Sequence, residues 1–125
     1  MTTTTATEAE LVLAARNAIS EANWTLGRCA AEWLEHYARG QTITDLAEIL
    51  KTNAAWLEVY RRTWLIYGPI RMEYPKLRWA HFLTVDGWDD WKPALEWANQ
   101  NEATIDEMTA WHRLQQPGDQ PTPNP

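Results

Sequence analysis

The chain has 125 residues and a net charge of −6, and it contains nine Trp but one Phe. This length is typical of one domain that buries a core without disulfides or metals. The single cysteine, Cys29, excludes a disulfide framework and a multi-thiolate zinc site, and it predicts a reducing cytoplasm. The acidic balance excludes a polybasic nucleic-acid coat. We expect no signal peptide and no membrane span, because no apolar run approaches about 20 residues.

The composition favours helices. Ala and Leu are abundant, with 17 and 12 residues, whereas Val occurs only three times. We therefore predict an all-α fold, with a compact multi-helix domain at residues 7–114. The polar start, residues 1–6, and the proline-rich tail, residues 115–125, are predicted to be disordered because they offer too little apolar surface to bury.

Two helices are predicted before residue 41. The first runs from Thr7 to Ile19, and the second begins at Asn23 as N-cap and ends at Gly40. Cys29 lies on the apolar side of the second helix and is predicted to be a buried, inert thiol. The first helix carries an apolar stripe that we expect to face the core, formed by Leu11, Ala14, Ala15, Ala18 and Ile19.

The next segment has the pattern of a short helix, a three-residue turn and a longer helix. Thr42 and Asp45 resemble a capping box that opens a helix over residues 43–50. Residues 51–53 form the turn, and Asn53 caps a helix that continues to about Tyr67. This spacing is typical of a helix-turn-helix, which we assign to residues 41–67.

Specific side chains carry that assignment further. A small residue stands where the second helix must approach closely, and apolar residues stand where the two helices lock together. The stretch over residues 41–62 therefore resembles the helix-turn-helix of bacterial DNA-binding regulators, including partition proteins of the ParB type. That family usually places Gly at the turn position held here by Lys51. The positions that carry the resemblance are Ala47, Leu46, Leu50, Leu57 and Tyr60.

The resemblance implies a set of DNA-reading residues on the second helix. Arg pairs with guanine, Asn with adenine and Glu with cytosine, while Ala and Val contact the thymine methyl group. The same pattern also fits a helical corner with a solvated face, and both interpretations stay open. The implied outward residues, with Arg61 at their flank, are Asn53, Ala54, Ala55, Glu58, Val59 and Arg62.

The only basic part of the chain begins in this helix. Residues 59–80 carry a net charge of +4, and every other part is acidic. Arg71, Lys76 and Arg78 are therefore candidate phosphate contacts that would position the reading helix. The alternative is that Arg stems cover aromatic faces in this Trp-rich and Tyr-rich segment. Because so few contacts give a small electrostatic attraction, tight binding would require a dimer.

A second resemblance extends over the C-terminal half. The segment Leu77-Arg78-Trp79-Ala80-His81-Phe82 is similar to a Leu-x-Trp-Ser-His-Phe segment. That segment occurs in an uncharacterised family of small bacterial proteins, which pair it with a helix-turn-helix and a Trp-rich hairpin. Ala80 stands in place of the family's Ser. We predict a helical hairpin at residues 89–114, whose second helix opens with a capping box at Thr104. The family brings no established activity.

The remaining candidates point away from catalysis. We interpret His81 as a satisfied structural histidine, and no nucleophile elbow, phosphate loop, metal cluster or cofactor motif is present. Trp88 and Trp91 are our candidates for an exposed, partner-binding patch. The leading hypothesis is a non-enzymatic DNA-binding protein, dimeric, with a role in transcription, replication or partition. The alternative is a protein-interaction adaptor in which the acidic hairpin binds a basic partner.

Overall fold

The computed structural model describes residues 5–116. Within them, six α-helices and no β-strand form, so the predicted all-α fold is confirmed. The chain divides into two units, Met1–Pro69 and Ile70–Pro125, and their grouping into one domain stays a prediction. None of the helices in the described residues is long and apolar enough to cross a membrane. The helices are α1 (Glu8–His36), α2 (Ile43–Leu50), α3 (Ala54–Tyr67), α4 (Trp79–Val85), α5 (Trp91–Asn101) and α6 (Ile105–Gln115), with a 3₁₀ stretch at Gly68–Glu73.

Helix α1 is continuous over 29 residues, so the prediction of two separate helices with Asn23 as an N-cap is wrong. The true N-cap is Thr7, whose Oγ1 accepts a hydrogen bond from the N–H of Glu10 at 3.1 Å. Asn inside a helix costs only roughly a few tenths of a kcal/mol relative to a typical helical residue, and no Gly or Pro separates Asn23 from the residues before it. A good capping residue therefore does not start a helix when the helix is already under way.

Helices α1 and α3 pack antiparallel in the first unit. Trp24 meets Trp64 edge-to-face, with ring centroids 6.3 Å apart, whereas Ala30, further along α1, belongs to the same core cluster as Leu57, which lies earlier in α3. Between these contacts the backbones approach closely at Gly27, where a Cβ atom would lie 2.8 Å from the carbonyl carbon of Tyr60. The absence of a side chain at this position sets the spacing of the two helices.

The first part of α1 extends beyond this packing. Residues 8–19 are all exposed, and Ser20 is the first buried residue of the helix. The predicted stripe therefore does not face the core of this unit, which corrects the expectation for Leu11, Ala14, Ala15, Ala18 and Ile19. Cys29 is exposed as well, not buried as predicted. The amphipathic pattern is real, but α3 is too short to cover it.

The corner between α2 and α3 has the predicted bounds. Asp45 accepts a hydrogen bond from the N–H of Thr42 at 2.7 Å, which is half of the predicted capping box. Lys51 adopts the left-handed conformation (φ 57°, ψ 46°), the conformation for which Gly is favoured. The N–H of Thr52 then donates to the carbonyl of Ala47 at 2.9 Å, as in a Schellman motif. The turn therefore has the backbone conformation that glycine usually adopts, although the residue in it is Lys51.

Replacing Lys51 with glycine is expected to stabilise the protein. A non-Gly residue in the left-handed region costs about 1 kcal/mol, which the Lys51→Gly variant relieves. We expect the free energy of unfolding to rise by up to about 1 kcal/mol in urea denaturation. Glu48→Gly, in the exposed interior of α2, is the matched control and should lower it by about 1 kcal/mol. Equal losses in both variants would contradict strain at Lys51.

The second unit is built from α4, α5 and α6. Its largest fully buried side chains are Phe82, Val85, Leu95 and Met108, which come from all three helices. Thr104 and Glu107 form the predicted capping box of α6, with reciprocal hydrogen bonds of 3.1 and 2.9 Å. These contacts define a small three-helix core.

The turn between α5 and α6 repeats the backbone of the turn between α2 and α3. Glu102 is left-handed (φ 48°, ψ 43°), and the N–H of Ala103 donates to the carbonyl of Ala98 at 2.9 Å. An N-cap residue follows two positions after Glu102, as Asn53 follows Lys51. Each unit therefore contains two helices joined by a three-residue turn, and the two turns have the same backbone geometry.

The two ends of the chain were predicted to be disordered. Gln115 still belongs to α6 and Gln116 is its C-cap, so the helix ends later than the predicted start of the tail. At the other end, Thr5 and Ala6 precede α1 without regular structure. Residues 1–4 and 117–125, the rest of both predictions, lie outside the described residues.

Candidate nucleic-acid interface

The outward side of α3 is open to solvent within its unit. Ala55 and Arg62 are exposed, and Glu58 and Val59 between them are half-buried. Asn53 is exposed too, and its Oδ1 caps α3 by accepting from the N–H of Trp56 at 2.9 Å. Positions spaced by three, four and seven residues share one helix face, so Ala55, Glu58, Val59 and Arg62 lie on one surface, and Asn53 stands at its N-terminal end. We call this surface the α3 face.

One predicted reading residue is not on that surface. Ala54 is half-buried and packs against the core cluster that includes Leu46, Ala47 and Leu57. This corrects the prediction for Ala54, because the first residue of α3 is turned towards α2. Its small side chain fits the close approach of the two helices, a structural role that needs no DNA.

Glu58 of the α3 face is paired with Arg61, which lies at the flank of that face. The guanidinium of Arg61 donates from Nε to Oε2 of Glu58 at 2.8 Å and from Nη2 to Oε1 of the same carboxylate. This hydrogen bonding lowers the pKa of Glu58 and raises the pKa of Arg61. Arg62 is near enough for its charge to lower the pKa of Glu58 further. The pairing reduces the net positive charge that the α3 face presents.

Exposed apolar side chains border the α3 face, and the sequence analysis did not single them out. Trp56 is 52 % exposed and stacks on Tyr60, with ring centroids 6.1 Å apart. Leu65 and Ile66 are exposed one turn beyond Arg62. Their positions, three and four residues after Arg62, were a usable signal, because these spacings continue the outward face. The C-terminal part of α3 is therefore more apolar than a phosphate-binding surface requires.

The three candidate phosphate contacts lie in the second unit. Lys76 is exposed, and its Nζ lies 3.3 Å from a carboxylate oxygen of Glu102. Arg71 and Arg78 are half-buried. The structure thus places them outside the unit that contains α3, and Lys76 already has an acidic partner.

The two tryptophans predicted to form an exposed patch are half-buried instead. Trp88 stacks on His112 with ring centroids 3.7 Å apart and planes 9° from parallel. His112, which the sequence analysis left unused, lies 3.0 Å from a carboxylate oxygen of Asp90 through its Nδ1. Trp91 is half-buried at the start of α5. The indole of Trp88 is half-buried because the imidazole of His112, from α6, covers it.

The repeated corner in the second unit has the opposite charge. Asp106 and Glu107 occupy the first turn of α6, where carboxylates favour the helix dipole but repel phosphates. Hydrogen bonds from Thr104 lower the pKa of Glu107, which keeps it ionised. The first turn of α3, by contrast, contains no acidic residue.

His81 is engaged on both ring nitrogens. Its Nδ1 accepts from the N–H of Arg78 at 3.1 Å, and its Nε2 donates to the carbonyl of Ala103 at 2.9 Å. This neutral tautomer follows because a backbone N–H only donates and a carbonyl only accepts. Burial lowers the pKa of His81. No group of three or more potential metal ligands occurs within residues 5–116.

Comparison of the chain with protein-family models, with curated proteins and with solved structures finds no match. The resemblance to DNA-binding regulators therefore stays a prediction. What the chain does must be inferred from the geometry of its own two units.

Proposed function

We propose that the protein binds duplex DNA through the α3 face, without catalysing a reaction. The observation that carries this proposal is the corner itself, in which a short helix and a tight left-handed turn present a longer helix with an open outer side. Asn53, Ala55 and Arg62 are exposed there. These residue types suit adenine, the thymine methyl group and guanine, respectively.

The charge on α3 limits how strongly one copy would bind. Glu58 opposes the two arginines that follow it, so the helix carries a net charge of +1. Affinity for DNA grows with the number of phosphates that cations neutralise, and a single corner with few cations binds weakly. The proposal therefore includes binding by two copies at two half-sites. The proposed setting is the cytoplasm, and the proposed role is in transcription, replication or partition.

Removing the acidic residue from the α3 face is expected to strengthen DNA binding. Glu58→Gln keeps the size of the side chain, releases Arg61 and removes one negative charge. We expect the Kd for a random duplex pool to fall by about threefold to tenfold at low salt, with a steeper salt dependence. Glu32→Gln on α1, which makes the same charge change at an exposed site, should leave the Kd unchanged. An equal effect of the two variants would indicate a nonspecific charge response.

The complementary variant removes the exposed arginine. Arg62→Ala should weaken binding by about tenfold, because a base or charge-assisted contact is worth about 1–3 kcal/mol. Arg28→Ala, also exposed but on α1, is its control. If the wild-type chain enriches no sequence from the pool and Arg62→Ala binds as well as Arg28→Ala, the DNA proposal fails.

A second candidate function is a protein-interaction adaptor, and two observations favour it. The pairing of Glu58 with Arg61 reduces the positive charge of the α3 face, and Leu65 and Ile66 add exposed apolar area beside it. In the adaptor hypothesis drawn from the sequence, the acidic hairpin is the contact surface. However, Leu114 is the only large apolar side chain exposed on α5 and α6, so the hairpin offers little apolar area to a partner. Capture of a partner that persists after nuclease treatment and is lost in Leu65→Glu would favour the adaptor.

A further inference from the structure

The pairing of Glu58 with Arg61 engages one edge of the guanidinium and leaves another edge open. Nε and Nη2, which form the side edge, donate to the two oxygens of the carboxylate. A guanidinium has five N–H donors, so three remain on Nη1 and Nη2. Two of these, one on each Nη nitrogen, form the end edge of the same planar group. Within residues 5–116, Glu58 is the only hydrogen-bond partner of this side chain.

The end edge of a guanidinium matches one base in the major groove of DNA. Guanine presents two neighbouring acceptors there, N7 and O6, which accept from both donors at once. Adenine presents an acceptor beside a donor, thymine presents one acceptor beside a methyl group, and cytosine presents a donor. The contact of Arg61 with Glu58 leaves this match intact, because the carboxylate uses the side edge.

The carboxylate of Glu58 also orders Arg61 before any ligand arrives. A free arginine loses rotamer freedom when it binds, whereas a side chain that is already held loses less. Arg61 is held through two hydrogen bonds, and its side chain is only 28 % exposed. The same hydrogen bonds raise the pKa of Arg61 and lower the pKa of Glu58, so both groups stay charged at neutral pH. An ordered two-donor group adapts less readily to a base that lacks two acceptors.

The position and charge of the pair favour a role in selecting a base. Glu58 belongs to the α3 face, and Arg61 lies at its flank beside Arg62. Because the two charges of the pair cancel, the pair contributes little to the attraction of phosphates. If the pair only stabilised the helix, as exposed pairs at this spacing do weakly, its removal would not change the preference for a base.

We propose that Arg61 selects guanine in the DNA that the α3 face binds, and that Glu58 is the positioning residue that holds Arg61 for this contact. The inference rests on the proposed function and adds a base preference to it. It also changes the role that the sequence predicts for Glu58. Both of its oxygens already accept from Arg61, so it supports an arginine instead of contacting cytosine.

The preference is measured as the ratio of two dissociation constants. Duplexes that the wild type enriches from a random pool are compared with copies in which one G·C pair is changed to A·T. Both constants are measured on the same protein sample, so the ratio does not depend on the fraction of protein that is folded. At one position we expect the change to weaken wild-type binding by about tenfold, a typical effect of one bidentate contact.

Two variants separate the arginine from the residue that holds it. Arg61→Lys keeps the charge but lacks the planar pair of donors, and Glu58→Gln keeps the size but removes the carboxylate. Both should reduce the tenfold ratio at that position to about twofold or less, although Glu58→Gln should bind the random pool more tightly at low salt. A loss of helix stability would not move affinity and preference in opposite directions. Arg28→Lys, at an exposed site of α1, should leave the ratio unchanged.

The outcomes distinguish this inference from the proposed function. A preference for guanine that persists at full size in Arg61→Lys or in Glu58→Gln overturns the inference. So does a set of enriched duplexes in which no guanine is preferred. The proposed function survives either result if the wild type enriches a sequence and Arg62→Ala weakens binding. A wild type that enriches no sequence overturns both.

Discussion

Replacement of Gly27 by alanine is expected to destabilise the first unit by at least about 2 kcal/mol. The new methyl group would overlap the carbonyl oxygen of Tyr60 and would lie 2.8 Å from its carbonyl carbon and 3.0 Å from Cβ of Trp64. These are backbone and near-backbone atoms, so no side-chain rotation relieves the clash. Alanine is the better helix former by about 1 kcal/mol, which offsets only part of the cost of overpacking.

The measurement is urea denaturation followed by tryptophan fluorescence, with Cys29→Ala as the control. Cys29 lies two residues further along α1 and is exposed, so its replacement should change the free energy of unfolding by less than about 0.5 kcal/mol. A Gly27→Ala variant as stable as the wild type would show that α1 and α3 do not approach as closely as the structure has them.

Replacement of His81 by alanine is expected to cost about 3 kcal/mol in the second unit. The ring joins the start of α4 to the turn between α5 and α6, through Arg78 and Ala103. Its loss leaves the partly buried N–H of Arg78 and the buried carbonyl of Ala103 without those partners. His81→Gln, which retains a donor near Ala103 but lacks the ring acceptor, should cost less than alanine. His36→Gln is the control, because His36 is exposed.

The same histidine makes stability depend on pH. Burial lowers the pKa of His81 below its ordinary value of 6.5, so the unfolded chain binds the proton more readily than the folded one. The contribution of the neutral His81 ring to the free energy of unfolding is therefore complete above pH 6.5. It is lost as pH falls below that value, and the free energy of unfolding then changes by at most about 1.4 kcal/mol per pH unit. His81→Gln should remove this dependence between pH 7.5 and 5.5. Carboxylates such as Glu58 and Glu107 act in a lower window, below pH 4.5.

Local signals predicted most helix ends correctly. Asn53 and Thr104 cap α3 and α6 as expected, because their side chains satisfy N–H groups that no helix can satisfy itself. Asn23 carried the same signal and was misleading, since the residues before it continue α1 without interruption. A capping residue marks a helix start only when the chain before it leaves the helix.

Tertiary partners were harder to predict than helices. The stripe that includes Leu11 and Ile19 was assigned to the core, but the partner helix ends before reaching it. Trp88 was assigned to the surface, but His112 covers it from α6. Periodicity shows which side of a helix is apolar, whereas what lies against that side depends on the lengths and directions of other helices.

The candidate site was predicted in part. The exposure of Asn53, Ala55 and Arg62 agrees with the expected outward face. The pairing of Glu58 with Arg61 and the inward position of Ala54 were not anticipated, because the first depends on side-chain rotamers and the second on the close approach of α2. A list of residue types on a helix therefore overstates the charge that a ligand would meet.

The left-handed residues Lys51 and Glu102 bear on how such corners are recognised in other chains. A pattern that demands glycine at the bend would overlook both of them, although each corner closes with a backbone hydrogen bond that skips back five residues. A small residue at the acceptor, Ala47 or Ala98, is the more faithful marker here. Because this left-handed position accepts a residue other than glycine, two turns with one geometry can carry opposite charges there, lysine in one and glutamate in the other.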